Sequence, residues 1–276
     1  SATVQKYAKR ALERLGPFKL DPKKPAPERV ADAQKPEVST PLPPEVIDAI
    51  KKLGGRVRFF FRHLDELWLN NTNVTDAELV HLKGMTKLEG LDFGDTKITD
   101  AGLVHLKGLT KLEGLNLNYT KVTDAGLVHL KGLTNLEYLG LRDTGVTDAG
   151  LFHLKGLTNL KELNFDLGDT NITDAGLEYL KGLTKLQKLG AGALSSGLDL
   201  SSTKITDAGL AHLKGLTNLE SLNLSSTKIT DAGLAHLKGL TKLQKLNLYG
   251  TKVADAGLVH LKGLTQLSDL SLQSTK

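Results

Sequence analysis

Histidine is the residue type whose spacing in this sequence most suggests chemistry. The segment "TDAGLVHLKGLT" occurs at residues 99–110 and again at 123–134, and its histidine position is filled at His81, His105, His129, His153, His212, His236 and His260. Imidazole is a common zinc ligand, but zinc needs nitrogens at about 2.0–2.1 Å and neighbouring helices lie about 10 Å apart. No second histidine or carboxylate follows four residues later on the same helix. We therefore expect no metal site, and we place these histidines at the seam between neighbouring helices.

Other kinds of catalytic chemistry lack their residue sets. The chain has no cysteine, which excludes a thiolate nucleophile and disulfides and leaves the redox compartment open. Serines and threonines are periodic or lie in predicted loops, without an adjacent general base. The glycines fit helix ends and turns, and the phosphate-loop pattern G-x-x-x-x-G-K-[ST] does not occur. We expect no catalytic residues, no cofactor and no enzyme activity.

The positive charge of the chain is concentrated in its N-terminal arm. Residues 1–62 contain 14 Lys and Arg against 7 Asp and Glu, whereas residues 63–276 contain 22 against 24. The high isoelectric point therefore does not describe the body of the protein, and we expect no nucleic-acid partner. No apolar run approaches the roughly 18 residues of a membrane span.

The remaining sequence is a repeating frame. A Thr-Asp pair begins at residues 75, 99, 123, 147, 173, 206 and 230, and Ala254-Asp255 replaces it once, so the spacings are 24, 24, 24, 26, 33, 24 and 24. A period of about 20–29 residues with regularly placed leucines is typical of a solenoid built from one supersecondary unit per repeat.

Each repeat reads as one strand and one short helix. In "LEGLNLNYTKV", Leu115 and Leu117 share one face of a strand and Asn116 lies on the other. Thr123 is a favourable N-cap, and Asp124 lies near the positive end of the helix dipole. Strands about 4.8 Å apart and helices about 10 Å across bend a stack of such units into an arc. The sequence thus predicts an α/β solenoid of horseshoe form, with a parallel concave β-sheet and convex helices.

About nine strands are expected over residues 64–276. They begin at Leu64, Leu88, Leu112, Leu136, Leu160, Leu186, Leu219, Leu243 and Leu267. A threonine follows each strand, and its hydroxyl is expected to bond backbone at the turn. These threonines are Thr72, Thr96, Thr120, Thr144, Thr170, Thr203, Thr227, Thr251 and Thr275.

The repeat resembles a known family. The pattern L-x-x-L-x-L-x-x-T-x-[VI], with Leu112, Leu115, Leu117, Thr120 and Val122 as one instance, resembles the leucine-rich repeat. "TDAGL" is similar to the opening of the helical part in the cysteine-containing subtype, with Thr where that subtype has Cys or Asn. "AIKKLGGRV" followed by "VTDA.L..LKGLTKL" resembles repeats abundant in planctomycete-type bacterial proteins. The resemblance covers residues 45–276 and implies an interaction scaffold, since the family binds diverse partners.

The outward strand positions form the candidate binding surface. In the first half of the solenoid they include the only Trp, two Tyr, one Arg and several carboxylates, whereas the last repeats have mostly Ser, Asn and Lys. Aromatic residues and Arg commonly anchor protein interfaces. The predicted partner-binding residues are Trp68, Asp92, Tyr119, Tyr138, Arg142 and Asp143. Scattered variation on an unselected face is the alternative interpretation. The acidic character of this face favours a basic protein or peptide partner.

Three segments precede the repeats. Residues 1–16 predict a basic amphipathic helix, which either contacts an anionic membrane or a partner, or packs on its own domain. Residues 17–44 contain all eight prolines and predict an extended linker. Residues 45–63 predict a helix and a strand that cap the first repeat.

Two insertions and the C-terminal edge complete the sequence-based predictions. Extra residues near Asp166-Leu167 and at 190–198 are expected to bulge at the concave rim or face, either as part of the binding side or as tolerated excursions. The sequence ends straight after a strand, so either more repeats follow in the natural protein, or the last strand is an uncovered edge that favours pairing with another chain. Two functions follow: a non-catalytic module that binds a protein or peptide on its concave face, or a structural element that self-associates through its C-terminal edge.

Overall fold

The computed structural model describes residues 44–276 except for residue 53 and residues 61–62, 166–171 and 190–197. Within that part the chain alternates short strands with short helices, and the predicted α/β leucine-rich repeat solenoid is confirmed. The amphipathic helix predicted at 1–16, the linker predicted at 17–44 (apart from Pro44) and the extra residues of both insertions (apart from residue 198) lie outside the described residues.

A helix and a hairpin precede the first repeat. Helix α1 spans Pro44–Lys52 and begins at a proline, whose fixed φ suits the first helical position. Strand β1, Arg56–Phe60, then pairs antiparallel with β2, His63–Trp68. Ile50 of the helix is buried in the same core as the leucines of the repeats. This unit therefore extends the core of the solenoid at its N-terminal end.

Every later strand pairs parallel with the corresponding strand of at least one neighbouring repeat. These strands are β3 Gly90–Asp92, β4 Gly114–Asn116, β5 Tyr138–Gly140, β6 Glu162–Asn164, β7 Lys188–Leu189, β8 Leu198–Asp199, β9 Ser221–Asn223, β10 Lys245–Asn247 and β11 Asp269–Ser271. Strands β1 to β7 form one sheet in chain order, and β8 to β11 form a second. The register aligns equivalent residues, so leucine pairs with leucine and outward residues pair with outward residues.

The strand predicted to begin at Leu186 is divided in two. Strand β7 pairs with β6 through Leu189 and Leu163, whereas β8 pairs with β9 through Leu198 and Leu222. Leu189 and Leu198 therefore occupy the same place in the repeat, on either side of residues 190–197. The described part of the chain thus contains ten strands from β2 to β11, because the longest insertion enters the middle of a strand.

The helical layer consists of short α-helices and 3-10 segments, and in four repeats a single α-turn continues as a 3-10 turn. The α-helices are α2 Asp100–Leu103, α3 Asp124–Leu127, α4 Asp148–Leu151, α5 Asp174–Glu178, α6 Asp207–Leu213 and α7 Asp231–Leu234. The 3-10 segments are Glu78–Leu82, Val104–Leu106, Val128–Leu130, Phe152–Leu154, Ala235–Leu237 and Asp255–Leu261. The last of these begins after Ala254, which has no side chain able to cap it.

One aliphatic core runs between the sheet and the helical layer. Leu115 and Leu117 of the strand and Leu127 and Leu130 of the helical segment are fully buried, as are their equivalents in neighbouring repeats. Each such leucine contributes about 1.5–3 kcal/mol relative to an exposed one. Stability is therefore distributed over the contacts between repeats rather than concentrated in one place.

The predicted threonine hydroxyls do bond backbone at the turn. Thr120 donates from Oγ1 to the carbonyl oxygen of Leu117 at 2.7 Å. The same bond to the residue three positions earlier, at 2.5–2.8 Å, is made by Thr72, Thr96, Thr144, Thr203, Thr227, Thr251 and Thr275. Each hydroxyl thereby closes the turn that leads from strand to helix.

Candidate functional site

The parallel register arranges the concave side chains of β2 to β6 in rows. One row consists of Trp68, Asp92, Asn116, Gly140 and Asn164. A neighbouring row consists of Glu66, Gly90, Gly114, Tyr138 and Glu162. Residues paired in this way project from the same face of the sheet. Three of the predicted binding residues, Trp68, Asp92 and Tyr138, therefore lie on one surface.

The other three predicted residues form a cluster at the turn after the strands. The guanidinium carbon of Arg142 lies 5.5 Å from the centre of the Tyr119 ring, and its Nε lies 3.9 Å from Oδ2 of Asp143. Tyr119 and Asp143 both have positive φ, 59° and 50°. A cation above an aromatic face is attracted to it, so Arg142 holds the ring of Tyr119 at the edge of the concave face.

Trp68 is flanked by a cation from the cap. Arg56 and Trp68 are paired in the antiparallel β1–β2 hairpin, and the guanidinium carbon of Arg56 lies 5.9 Å from the centre of the Trp68 ring. Trp68 itself is half-buried. Arg56 was not among the predicted binding residues. Its sequence signal was weak, because the contact depends on the register of a hairpin whose turn is not evident in the sequence.

Asp92 belongs to a polar network that recurs along the solenoid. Its Oδ1 accepts hydrogen bonds from the backbone of Gly94 and from Nδ2 of Asn116, both at 2.9 Å. Burial raises the pKa of Asp92, and these hydrogen bonds oppose that shift. Asp199 accepts from Nδ2 of Asn223 at 3.0 Å in the equivalent position of the second sheet. The network therefore has a structural role, because it links neighbouring strands, in addition to placing a carboxylate on the concave face.

Tyr138 lies against the sheet rather than projecting from it. A Cβ atom at Gly140 would lie 2.9 Å from its hydroxyl oxygen, so the glycine leaves room for the ring. Burial raises the pKa of Tyr138 to about 12, although the side chains of Asn164 and Asn118 hydrogen-bond to the hydroxyl and lower it in part. These two asparagines were not in the predicted set, and they fix the orientation of the tyrosine.

The convex histidines were predicted at the seam between neighbouring helical segments. Six of them are half-buried, namely His105, His129, His153, His212, His236 and His260, whereas His81 of the first repeat is exposed. In the residues that the structure describes, no group of three or more His, Cys, Asp or Glu side chains is placed to hold a metal ion. Over the same residues, no helix is both long and apolar enough to cross a membrane.

The comparisons with known proteins agree with this geometry. Two models of the leucine rich repeat match the sequence, one at residues 196–253 and one at residues 156–181. No curated protein sequence is significantly similar to the chain. Together with the repeat register and the stacked strand–helix units, these matches support the class of leucine-rich repeat proteins for this chain.

Several solved structures share the fold. Internalin C2 of Listeria monocytogenes is 27% identical, with a TM-score of 0.60 over 83% of this chain and 93% of that one. The functional domain of InlJ from Listeria monocytogenes is 20% identical, with a TM-score of 0.50 over 76% and 44%. The plant peptide hormone receptor RGFR1, in complex with RGF2, is 18% identical, with a TM-score of 0.54 over 80% and 37%. Solenoids of this fold are in general non-enzymatic protein-interaction scaffolds, and the fold supports that general class for this chain.

Proposed function

We propose that this protein is a non-catalytic interaction module that binds a protein or peptide ligand on the concave face of its first repeats. The supporting observation is a local departure from repetition. Trp68, Tyr119 and Tyr138 lie on or beside the face formed by β2 to β6. In β9 to β11 and the turns after them, the position of Trp68 holds Asn223, Asn247 and Ser271. The position of Tyr119 holds Ser226, Gly250 and Ser274, and that of Tyr138 holds Ser221, Lys245 and Asp269. Large aromatic side chains are enriched among the residues that dominate binding energy.

The backbone conformation of Tyr119 supports a selected role for its side chain. Every other described residue at this turn position is Asn, Asp, Ser or Gly, namely Asn71, Asp95, Asp143, Ser202, Ser226, Gly250 and Ser274. An ordinary L-residue in the left-handed region costs about 1–2 kcal/mol, and Asn, Asp and Gly reduce that cost. The Tyr119 side chain is 47% exposed, so core burial does not offset the strain. Ligand contact would give this exposed side chain a role beyond its contact with Arg142.

The charge of the face favours a basic ligand. Among the side chains that the structure describes, its carboxylates are Glu66, Asp92, Asp95, Asp143 and Glu162, and its cations are Arg56 and Arg142, with Lys188 of β7 paired beside Glu162. Carboxylates are therefore the more numerous of the described charges. Complementary charge raises association rates and orients a partner more than it adds affinity. A lysine- or arginine-containing segment with apolar side chains fits this surface.

Selection from a random peptide display library tests the proposal. The wild-type chain is expected to enrich peptides that combine Lys or Arg with apolar residues, and the W68A/Y119A variant is expected to lose them. Y249A is the matched control, because Tyr249 is 44% exposed and lies on the concave side of the later repeats. Enrichment that is unchanged in W68A/Y119A, or equally reduced in Y249A, would contradict the assignment of the patch.

A further inference from the structure

His129 and His153 differ from the other convex histidines in that one ring nitrogen of each is buried without a partner. The Nδ1 atoms of His129 and His153 are shielded from solvent and have no hydrogen-bond partner. They occupy the same position in successive repeats, on the 3-10 segments Val128–Leu130 and Phe152–Leu154. Buried polar atoms in proteins are nearly always hydrogen-bonded, so an unpartnered pair in adjacent repeats needs a physical explanation.

We infer that His129 and His153 make the packing between their repeats sensitive to acid. We call these two histidines the acid-sensitive joint of the helical layer. A neutral imidazole has one N–H donor and one acceptor nitrogen, whereas the protonated ring has two donors. Protonation therefore adds positive charge to a ring whose buried Nδ1 has no acceptor nearby. A buried donor without an acceptor destabilises the folded state relative to the solvated, unfolded one. This inference concerns the convex side and does not depend on the ligand proposed for the concave face.

The groups around His129 disfavour its protonated form on balance. Burial lowers the pKa of His129, the charge of Lys107 lowers it further, and Asp100 opposes both. Lys107 and Asp100 belong to the preceding repeat. The following repeat presents His153 and Lys155 at the corresponding positions, and neither supplies an acceptor carboxylate.

The surroundings of His153 repeat this arrangement. Burial lowers the pKa of His153, and the charge of Lys131 in the preceding repeat lowers it further. Asp124 raises this pKa, and Lys155 lowers it. The following repeat has Tyr179 in the histidine position. Its nearest carboxylate in sequence, Glu178, is paired with Lys181 at 3.2 Å.

Phe152 explains why the joint lies in these repeats. Its ring centre is 5.4 Å from those of both His153 and Tyr179, in edge-on geometry. The ammonium groups of Lys155 and Lys131 lie 4.0 and 5.8 Å from its centre. This aromatic group covers the seam, whereas the two repeats that hold His212 and His236 have Ala211 and Ala235 at the position of Phe152.

The direction of the pH effect follows from the lowered pKa values. Both histidines start from an ordinary pKa of 6.5 and are lowered in the folded chain, so the unfolded chain binds more protons just below that pH. The stabilisation they provide is complete above pH 6.5, and it is lost as the pH falls from 6.5 through the folded-state pKa values. The joint should therefore loosen in mild acid, before most carboxylates titrate.

Thermal unfolding of three chains at about pH 7.5 and about pH 5.5 tests this inference, because histidine titrates within that interval. The wild-type chain is expected to lose several degrees of its unfolding midpoint on acidification. The H129Q/H153Q variant should lose clearly less, because glutamine stays neutral. H212Q/H236Q is the matched control, from two later repeats, and should lose as much as the wild type. An equal loss in H129Q/H153Q and the wild type would overturn the inference.

A local measurement on the wild-type chain avoids any folding defect of the variants. Histidine ring signals followed by NMR through a pH titration are expected to give His129 and His153 pKa values below 6.5. Hydrogen exchange, corrected for its intrinsic pH dependence, should lose protection in residues 124–154 more than in residues 207–237. A pKa of 6.5 or above for both rings would refute the acid-sensitive joint. A uniform loss of hydrogen-exchange protection along the solenoid would refute it as well.

Discussion

Asp100 fixes Thr123 of the following repeat with both of its carboxylate oxygens. The backbone N–H of Thr123 donates to Oδ1 at 2.7 Å, and its hydroxyl donates to Oδ2 at 2.6 Å. The same threonine oxygen accepts from the backbone of Ala125 and so caps the next helical turn. The equivalent pairs are Asp76–Thr99, Asp124–Thr147, Asp148–Thr173, Asp174–Thr206 and Asp207–Thr230. The N-cap of each helix from α2 to α7 is therefore held in place by the preceding repeat, which couples neighbouring repeats through polar contacts as well as through leucines.

Restoring the one interrupted pair should stabilise the protein. Ala254 donates its backbone N–H to Oδ1 of Asp231 at 2.7 Å but has no hydroxyl for the second oxygen. The A254T variant is expected to raise the free energy of unfolding by about 1 kcal/mol, since it adds both a cap and a charge-assisted hydrogen bond. T123V, which removes one such hydroxyl at nearly constant volume, should lower it by about 1–2 kcal/mol. Urea denaturation measures both, and an unstabilised A254T would show that the hydroxyl bonds contribute little.

The glycine of "TDAGL" is required by the same aspartate. A Cβ atom at Gly126 would press directly against Oδ1 of Asp100, whereas a Cβ at Gly132 would meet nothing within 4 Å. Alanine is favoured over glycine in a helix by about 1 kcal/mol, so propensity alone predicts that G126A stabilises. We expect the opposite, a loss of about 1–3 kcal/mol, because the aspartate must move or lose its bonds. G132A is the control within the same repeat and should be neutral or slightly stabilising in the same denaturation experiment.

The first repeat supplies its own carboxylate. Oε2 of Glu78 accepts from both the backbone N–H and the hydroxyl of Thr75, each at 2.8 Å, where the next repeats use an aspartate from their predecessor. The hydrogen bonds from Thr75 lower the pKa of Glu78 from its usual 4.5, although burial opposes them in part.

The E78Q variant should therefore be less stable than the wild type by about 0.5–1 kcal/mol near neutral pH, the usual contribution of a helix cap. Because the folded-state pKa is lowered, this difference is fully present above pH 4.5 and should disappear as the pH falls through the folded-state value. Chemical denaturation repeated at several pH values tests the sign. A difference that grows in acid would contradict the assigned role of Glu78.

Tyr119 should show opposed effects on stability and binding. Replacing it with asparagine, which fills the same turn position as Asn71, relieves the left-handed strain at φ 59°. Y119N is expected to raise the free energy of unfolding by about 1 kcal/mol and to weaken ligand binding. The S226N variant is a control for the substitution at an equivalent turn, and it should leave binding unchanged. A Y119N chain that binds as well as the wild type would remove Tyr119 from the site.

The sequence predicted the parts of this structure that depend on residues close together in the chain. Alternation of Leu115 and Leu117 predicted the strand, and Thr120 predicted the turn bond to Leu117. Asp124, by contrast, was interpreted only through its position near its own helix dipole. Its hydrogen bonds reach Thr147, 23 residues away, and only stacking brings them together. The sequence signal available for this contact was the glycine three residues after the threonine. A side chain at that glycine would displace the aspartate of the preceding repeat.

The candidate site was predicted less completely, for a related reason. Alternation assigned Trp68 and Tyr138 to the outward face, and the register agrees. It does not show that Tyr138 lies flat over Gly140, or that Arg56 of the cap reaches Trp68. Those contacts depend on side-chain rotamers and on pairing with other strands. Whether these residues bind a ligand stays a prediction.

Isothermal titration of the wild-type chain with a library-selected basic peptide tests the central claim most directly. The account predicts that W68A/Y119A weakens binding at least tenfold, about 1.4 kcal/mol or more, while Y249A changes it little. Added salt should weaken the binding of the wild-type chain, because attraction to the carboxylates of the concave face is screened. Equal dissociation constants for the wild type and W68A/Y119A, with Y249A affected instead, would contradict the placement of the site on the first repeats.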